Sequence, residues 1–219
     1  MSNTTLVLGV SGSGKSTSIR NLDPATTYII SILGKPLPFK GYKKRFNEEK
    51  KNYFITDDYR KVLGLINAVN TRRPEVTTLI IDDFQYLMAN EFMNRCLEKG
   101  YDKYSELANH TWSVIKALTD TRDDLHCFVL THSEIDQQGN TKVKTIGKML
   151  DNKITLEGMF TCVLHSLVMD GEFKFLTQHT GVNLAKSPLG LFDSQFIDND
   201  LQFVKEKMHA YFNEEIDSE

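Results

Sequence analysis

Apolar positions fall into short runs and helical stripes that alternate from Thr4 to Thr131. Thr4–Gly9 (TTLVLG) is an apolar run ending in glycine, the pattern of a buried strand. Lys15–Leu22 predicts the start of a helix. Thr27–Leu33 (TYIISIL) predicts a second strand and Tyr53–Thr56 a short third one. Between them, Gly34–Lys51 is rich in Gly, Pro and charge and reads as a loop excursion. Asp57–Asn70 predicts a helix with Val62, Leu65, Ile66 and Val69 on one stripe and Asp57 or Asp58 near its N-cap. Pro74 breaks the pattern before a strand at Thr77–Asp82 (TTLIID). Two helical stretches follow, about Phe84–Leu97 and Lys103–Asp120, the second turning Leu107, Trp112, Ile115 and Leu118 inward. His126–Thr131 (HCFVLT) predicts another strand.

The pattern then changes. Glu134–Lys153 is polar, contains glycine and predicts a loop or hairpin. Met159–Met169 predicts a longer strand, and Asp170-Gly171 a hairpin turn into Glu172–Gln178. Asp200–Phe212 predicts a closing helix with Leu201, Val204, Met208 and Tyr211 in its stripe. Alternating strands and helices followed by hairpins imply an α/β fold, a mainly parallel sheet ending in antiparallel strands. With no internal repeat or linker, residues 1–219 read as one domain.

Composition narrows the class. Apolar residues make up 40 % and charged residues 25 %, which fits a globular chain and argues against wholesale disorder. The net charge of −3 excludes a polycation, so nucleic-acid binding needs local basic patches. Cys96, Cys127 and Cys162 are widely spaced, without a Cys/His cluster that would hold zinc, and read as buried reduced thiols. The N-terminal stretch lacks the basic segment of a signal peptide, and no segment reaches the length of a membrane span. The expectation is a soluble, cytoplasmic protein with no membrane partner.

Gly9–Ser16 (GVSGSGKS) matches GxxxxGK[ST] at every fixed position. Glycines such as Gly9, Gly12 and Gly14 let consecutive amides point inward at phosphate oxygens, with Ser11, Ser13 and Thr17 completing the cradle. Lys15 can reach the β- and γ-phosphates as a point charge, and the Ser16 hydroxyl is placed to ligate Mg²⁺. The motif lies between a predicted strand and helix, where phosphate binding needs it. ATP with Mg²⁺ is the expected ligand.

The run Thr77–Phe84 (TTLIIDDF) ends in two aspartates at the edge where a parallel sheet binds ligands. Asp82 is the expected Mg²⁺ partner of Ser16. Asp83 reads either as the group that orients or deprotonates the attacking water, or as the N-cap of the next helix. The next strand ends in Thr131 and His132, either of which could meet the γ-phosphate or the water.

Two basic stretches are candidates for single-stranded nucleic acid. In the first, Lys43, Lys44 and Arg45 lie among Phe39, Tyr42, Phe46 and Tyr53, so lysines could follow phosphates while rings stack on bases. In the second, Lys142, Lys144, Lys148 and Lys153 follow the His132 strand, and Lys142 and Lys144 share a face if the segment is a hairpin. A solvated surface explains both equally well. Lys186, in a turn after the last strands, could reach a neighbouring subunit's nucleotide.

Taken together, GVSGSGKST, LIIDDF, FVLTHSE, the segment TIGKMLDNKITLEGMFTCVLH, FLTQHTGVNLAKSPLGLF and IDNDL resemble the bacteriophage RecA-like ATPases of the small Sak-type group that anneals single-stranded DNA. The resemblance covers most of the chain. It implies a RecA-like P-loop core, rings or filaments of identical subunits, single-stranded DNA as partner beside a single-strand binding protein, and residence in the host cytoplasm. It makes Glu134–Lys153 the DNA-binding loop region and Lys186 a trans-acting residue. Two departures stand out. The second strand ends in no acid, leaving Asp83 as the substitute for the catalytic glutamate of RecA. The stretch Phe175–His179 (FLTQH) carries no lysine where RecA has a pair. Two other readings fit the phosphate loop. A small-molecule kinase normally closes several arginines over the phosphates, and here they form no lid-like cluster. A helicase-loader-type ATPase switch resembles LIIDDFQYL, but lacks an arginine-bearing helical lid here.

Overall fold

The structure is a computed structural model that describes residues 3–146 and 154–213. Its strands are β1 (Thr4–Gly9), β2 (Thr27–Ser31), β3 (Tyr53–Ile55), β4 (Thr78–Asp82), β5 (His126–Ile135), β6 (Thr141–Val143), β7 (Cys162–Met169), β8 (Glu172–Leu176) and β9 (Phe196–Asp198). Its α-helices are α1 (Tyr42–Arg45), α2 (Tyr59–Arg72), α3 (Gln85–Asn94), α4 (Asp102–Thr119) and α5 (Leu201–Asn213).

The sheet runs β3-β2-β4-β5-β1-β7-β8-β9, with β6 paired to the far half of β5. Pairings from β3 through to β7 are parallel, and β7–β8, β8–β9 and β5–β6 are antiparallel. A parallel sheet needs cover on both faces. On one face, Leu6, Leu8, Ile30, Leu79, Ile81 and Val129 pack under α2, α3 and α4. On the other, Val7, Ile29, Ile80, Phe128 and Leu130 pack with Ile19, Leu201, Val204 and Met208. That double burial explains why the strands read as unbroken apolar runs.

Local chemistry sets the ends of the elements. The Asp58 side chain accepts the Arg60 amide at 2.9 Å and caps α2. Asp170 and Gly171, with φ of 53° and 81°, make the β7–β8 turn. The Asp136 carboxylate accepts the amides of Gln138 and Asn140 at 2.9 and 2.8 Å, closing the β5–β6 hairpin. Among the described residues no helix is long and apolar enough to cross a membrane.

Several expectations shift. The expected helix after the phosphate loop is a short 3-10 helix, Ser16–Asn21. The Ser18 hydroxyl donates back to the Lys15 carbonyl, and its amide is shared between Gly14 and Lys15, which tightens the turn. In α4, Thr111 and Val114 are buried while Trp112 lies only partly buried, and in α5 Tyr211 is exposed. Of the cysteines, Cys127 and Cys162 are buried, and burial pushes both thiols up to about 12, while Cys96 is exposed.

The aromatic residues of the first basic stretch are mostly inside. Phe46 and Tyr53 are buried in the second core, with Phe39 and Tyr42 packed against it. Truncating Phe46 to Ala should therefore cost about 3–5 kcal/mol of stability, the usual loss for a buried aromatic ring. Urea denaturation reads this directly, and an unchanged midpoint would return the ring to the surface.

Candidate functional site

The parallel strands deliver their C-terminal ends to one edge. There Gly9 leaves β1, Lys35 follows β2, Asp82 ends β4, and His132 passes along β5. These residues surround a cleft of about 320 Å³ lined by the phosphate loop, Lys35, Asp82, Asp83, His132 and Phe173.

The loop needs its glycines. Gly12 and Gly14 have φ of 80° and 97°, where side chains other than glycine's are strained. A Cβ on Gly14 would sit 2.7 Å from the Phe173 ring, and one on Gly9 would sit 2.6 Å from the Ser166 carbonyl. Lys15 Nζ donates to the carbonyls of Gly9 and Val10, both at 2.9 Å. Burial brings its ammonium down to about 8. Ser11, Gly12, Gly14, Ser16 and Thr17 line the cleft, whereas Ser13 is buried behind it.

Ser16 Oγ donates to Asp82 Oδ1 at 2.9 Å, across 66 positions of chain. The Asp83 amide also donates to Asp82 Oδ1, at 3.0 Å. Burial, reinforced by the charge of Asp83, pushes the Asp82 carboxyl up to about 6. A hydroxyl and a buried carboxylate side by side form a hard oxygen donor pair of the kind that suits Mg²⁺.

Asp83 has φ of 60°, in the left-handed region unusual for a side chain of its type. It does not cap α3, whose N-cap position, Phe84, makes no side-chain cap bond. Its carboxylate instead meets Lys35 Nζ at 3.0 Å and lies 3.9 Å from His132 Nε2. Burial, followed by the charge of Lys15, lowers the His132 pKa and so favours the neutral ring.

Strand alternation separates Thr131 from His132. His132 lines the cleft, whereas Thr131 faces a small cavity on the helix side beside Phe84, Met88 and Thr111, its buried hydroxyl without a partner among the described residues. Thr131 is therefore not placed to meet a phosphate. Lys186 pairs through its backbone with Val163, near the start of β7, and is not among the residues that line the cleft.

The basic stretches divide. Lys43 and Lys44 are exposed on α1, but Arg45 points inward and donates to the carbonyls of Arg20 and Leu22, so it closes the end of the 3-10 helix. On β6, Lys142 pairs with Glu134 at 2.9 Å. Just beyond the strand, Lys144 is exposed, and Val143 between the two is buried. The Lys144 amide donates to the His132 carbonyl at 3.0 Å, which ties this hairpin to the cleft. Lys148 and Lys153 lie outside the described residues.

Sequence reasoning passed over Lys35 and the residues that brace the loop. Ser166 Oγ donates to the Ser13 carbonyl at 2.7 Å, Asn199 Nδ2 donates to Ser166 Oγ at 3.2 Å, and Arg20 donates to the Asn199 carbonyl. Lys35 had a signal, since it follows a parallel strand at the ligand edge. Ser166, Asn199 and Phe173 had none, because their approach to the loop depends on hairpin register. Compared with protein-family models and with curated proteins, the sequence matches none.

The raised Asp82 pKa fixes the sign of a pH effect. Between its ordinary 3.8 and about 6, the folded carboxyl keeps a proton that the unfolded chain has lost. Stability in the absence of nucleotide thus falls as pH rises through that window, and the loss persists above it. Asp82→Asn cannot ionise, and its gain in stability over the natural protein should grow from pH 4 to pH 7, reaching on the order of 2 kcal/mol. Thermal unfolding across that range checks this; parallel profiles for the two proteins would contradict it.

Proposed function

We propose that this chain is a Mg²⁺-dependent ATPase of the RecA-like P-loop type, acting on single-stranded DNA in annealing or recombination. The observation that carries the nucleotide reading is the contact of Ser16 Oγ with Asp82 Oδ1 at 2.9 Å, which joins the loop to the acidic strand end. The interposed strand supports the RecA-like reading, since β5 lies between β1 and β4 and presents His132 to the cleft.

In this reading the loop amides hold the β- and γ-phosphates, and Lys15 leaves the Gly9 and Val10 carbonyls to meet them. Ser16 and Asp82 would hold Mg²⁺, which would offset negative charge as it develops on the phosphates. Water attacks the γ-phosphorus, the bond to the β–γ bridging oxygen breaks, and Asp83 accepts the proton of the water. His132 orients that water. Phe173 packs against Gly14 in the cleft wall.

The DNA part rests on the resemblance, with Lys144 just beyond β6 and Lys43 and Lys44 on α1 as exposed cations that could meet phosphates. The Lys144–His132 backbone bond offers a route from DNA contact to the cleft. Self-assembly, with Lys186 reaching a neighbour's nucleotide, belongs to the same proposal. Among the described residues, the cations lining the cleft are Lys15 and Lys35, which suits a small-molecule kinase poorly, since such enzymes fold arginines over the phosphates.

ATP hydrolysis measured with and without single-stranded DNA tests the proposal. The expected result is turnover that DNA stimulates and that Lys15→Ala abolishes. Turnover indifferent to DNA would remove the recombination reading, and full turnover in Lys15→Ala would remove the loop from the chemistry. Lys144→Ala should weaken DNA binding and reduce its salt slope by about one unit.

A further inference from the structure

Lys35 reaches the cleft by a tight route. The chain leaves β2 at Ser31 and turns at Gly34, where φ is 66° and a Cβ would meet Ile55 Cγ2 at 2.9 Å. The next residue is Lys35. Its Nζ lies 3.0 Å from Asp83 Oδ2 and 3.3 Å from Asp83 Oδ1, and 5.4 Å from the centroid of the Tyr86 ring.

The two partners differ in freedom. The Lys35 side chain is 56 % exposed and the Asp83 side chain 9 %. Asp83 is held by its left-handed backbone and by its amide bond to Asp82. Lys35 has a long flexible stem that is mostly exposed, so it is the member of the pair able to leave.

The charge of the cleft gives it a reason to do so. Lys15 and Lys35 face Asp82 and Asp83 there, and each lysine is engaged by the protein, Lys15 with backbone carbonyls and Lys35 with Asp83. A triphosphate remains anionic even with Mg²⁺ bound. Asp82 is the metal partner, which leaves Asp83 as a negative charge near the terminal phosphate. A mobile lysine beside that carboxylate is attracted by both groups, and the phosphate is the more highly charged.

We propose that Lys35 is a second phosphate-binding cation of this cleft, one that moves from Asp83 to the terminal phosphate of a bound nucleoside triphosphate and sets the preference for triphosphate over diphosphate. This rests on the nucleotide reading of the cleft. A diphosphate has no terminal group at that position and leaves Lys35 on Asp83. Transfer of Lys35 also uncovers the Asp83 carboxylate only when a triphosphate is present, so the proton acceptor becomes available together with its substrate.

The test compares dissociation constants for a non-hydrolysable ATP analogue and for ADP, with Mg²⁺, in the natural protein and in Lys35→Ala, Lys35→Arg and Lys35→Ala/Asp83→Asn. The expected result in Lys35→Ala is a loss of about tenfold or more for the triphosphate, the scale of one charge-assisted contact, with ADP nearly unchanged. Lys35→Arg should retain most of the preference. The double variant separates direct contact from simple neutralisation of Asp83, and it should keep most of the triphosphate loss seen in Lys35→Ala. Equal weakening of both nucleotides, no weakening, or recovery in the double variant would overturn the role of Lys35. Failure of the natural protein to bind either nucleotide would overturn the reading of the cleft itself.

Discussion

The buried carboxylate of Asp82 is the constraint on which the site depends. It ends a central strand, and burial together with Asp83 makes its charge costly. Its nearest help is the Ser16 hydroxyl and the Asp83 amide. Ser16 opens the 3-10 helix after β1, a strand that is not a neighbour of β4, because β5 separates the two. Adjacent strands lie about 4.8 Å apart, so the two strand ends are roughly 10 Å apart. The loop therefore has to cross β5 to reach Asp82; Gly12 and Gly14 take left-handed conformations along it, and His132 of β5 lines the same cleft.

A loop bent in this way needs support from behind. Ser166 holds the Ser13 carbonyl, Asn199 holds Ser166, and Arg20 reaches back to Asn199. These residues come from β7, the segment before α5 and the 3-10 helix, so the C-terminal third of the chain serves the phosphate loop. The front of the cleft is different. Lys15 and Lys35 rest on protein oxygens that a phosphate can replace, against a wall whose polar groups are tied to one another.

Much of this was legible in the residues. Strands buried on both faces leave continuous apolar runs, and β1, β2, β4 and β5 were readable within a few residues for that reason. The Asp58 cap, the Asp170-Gly171 turn, and the nearness of Ser16 and Asp82 also follow from local chemistry and the order of strands. Parity was not legible. Thr131 and His132 sit side by side, and only the pairing of Leu8 with Thr131 and Gly9 with His132 decides which one meets the cleft. Tertiary demand also overrode composition. Phe46, Tyr53 and Arg45 resembled a nucleic-acid patch, but two fill a core and one satisfies carbonyls at the end of a 3-10 helix. Lys35 was passed over because the glycines and prolines around it suggested only a loop, although its place after β2 at the ligand edge was a signal.

The central claim is that Ser16 and Asp82 hold a divalent cation together with a nucleoside triphosphate. Mn²⁺ in place of Mg²⁺, followed by electron paramagnetic resonance with and without ATP, tests it most directly. The account predicts tight Mn²⁺ binding only in the presence of ATP, with phosphorus couplings from the bound phosphates, and its loss in Ser16→Ala. Mn²⁺ bound equally well without ATP, or unaffected by Ser16→Ala, would contradict it.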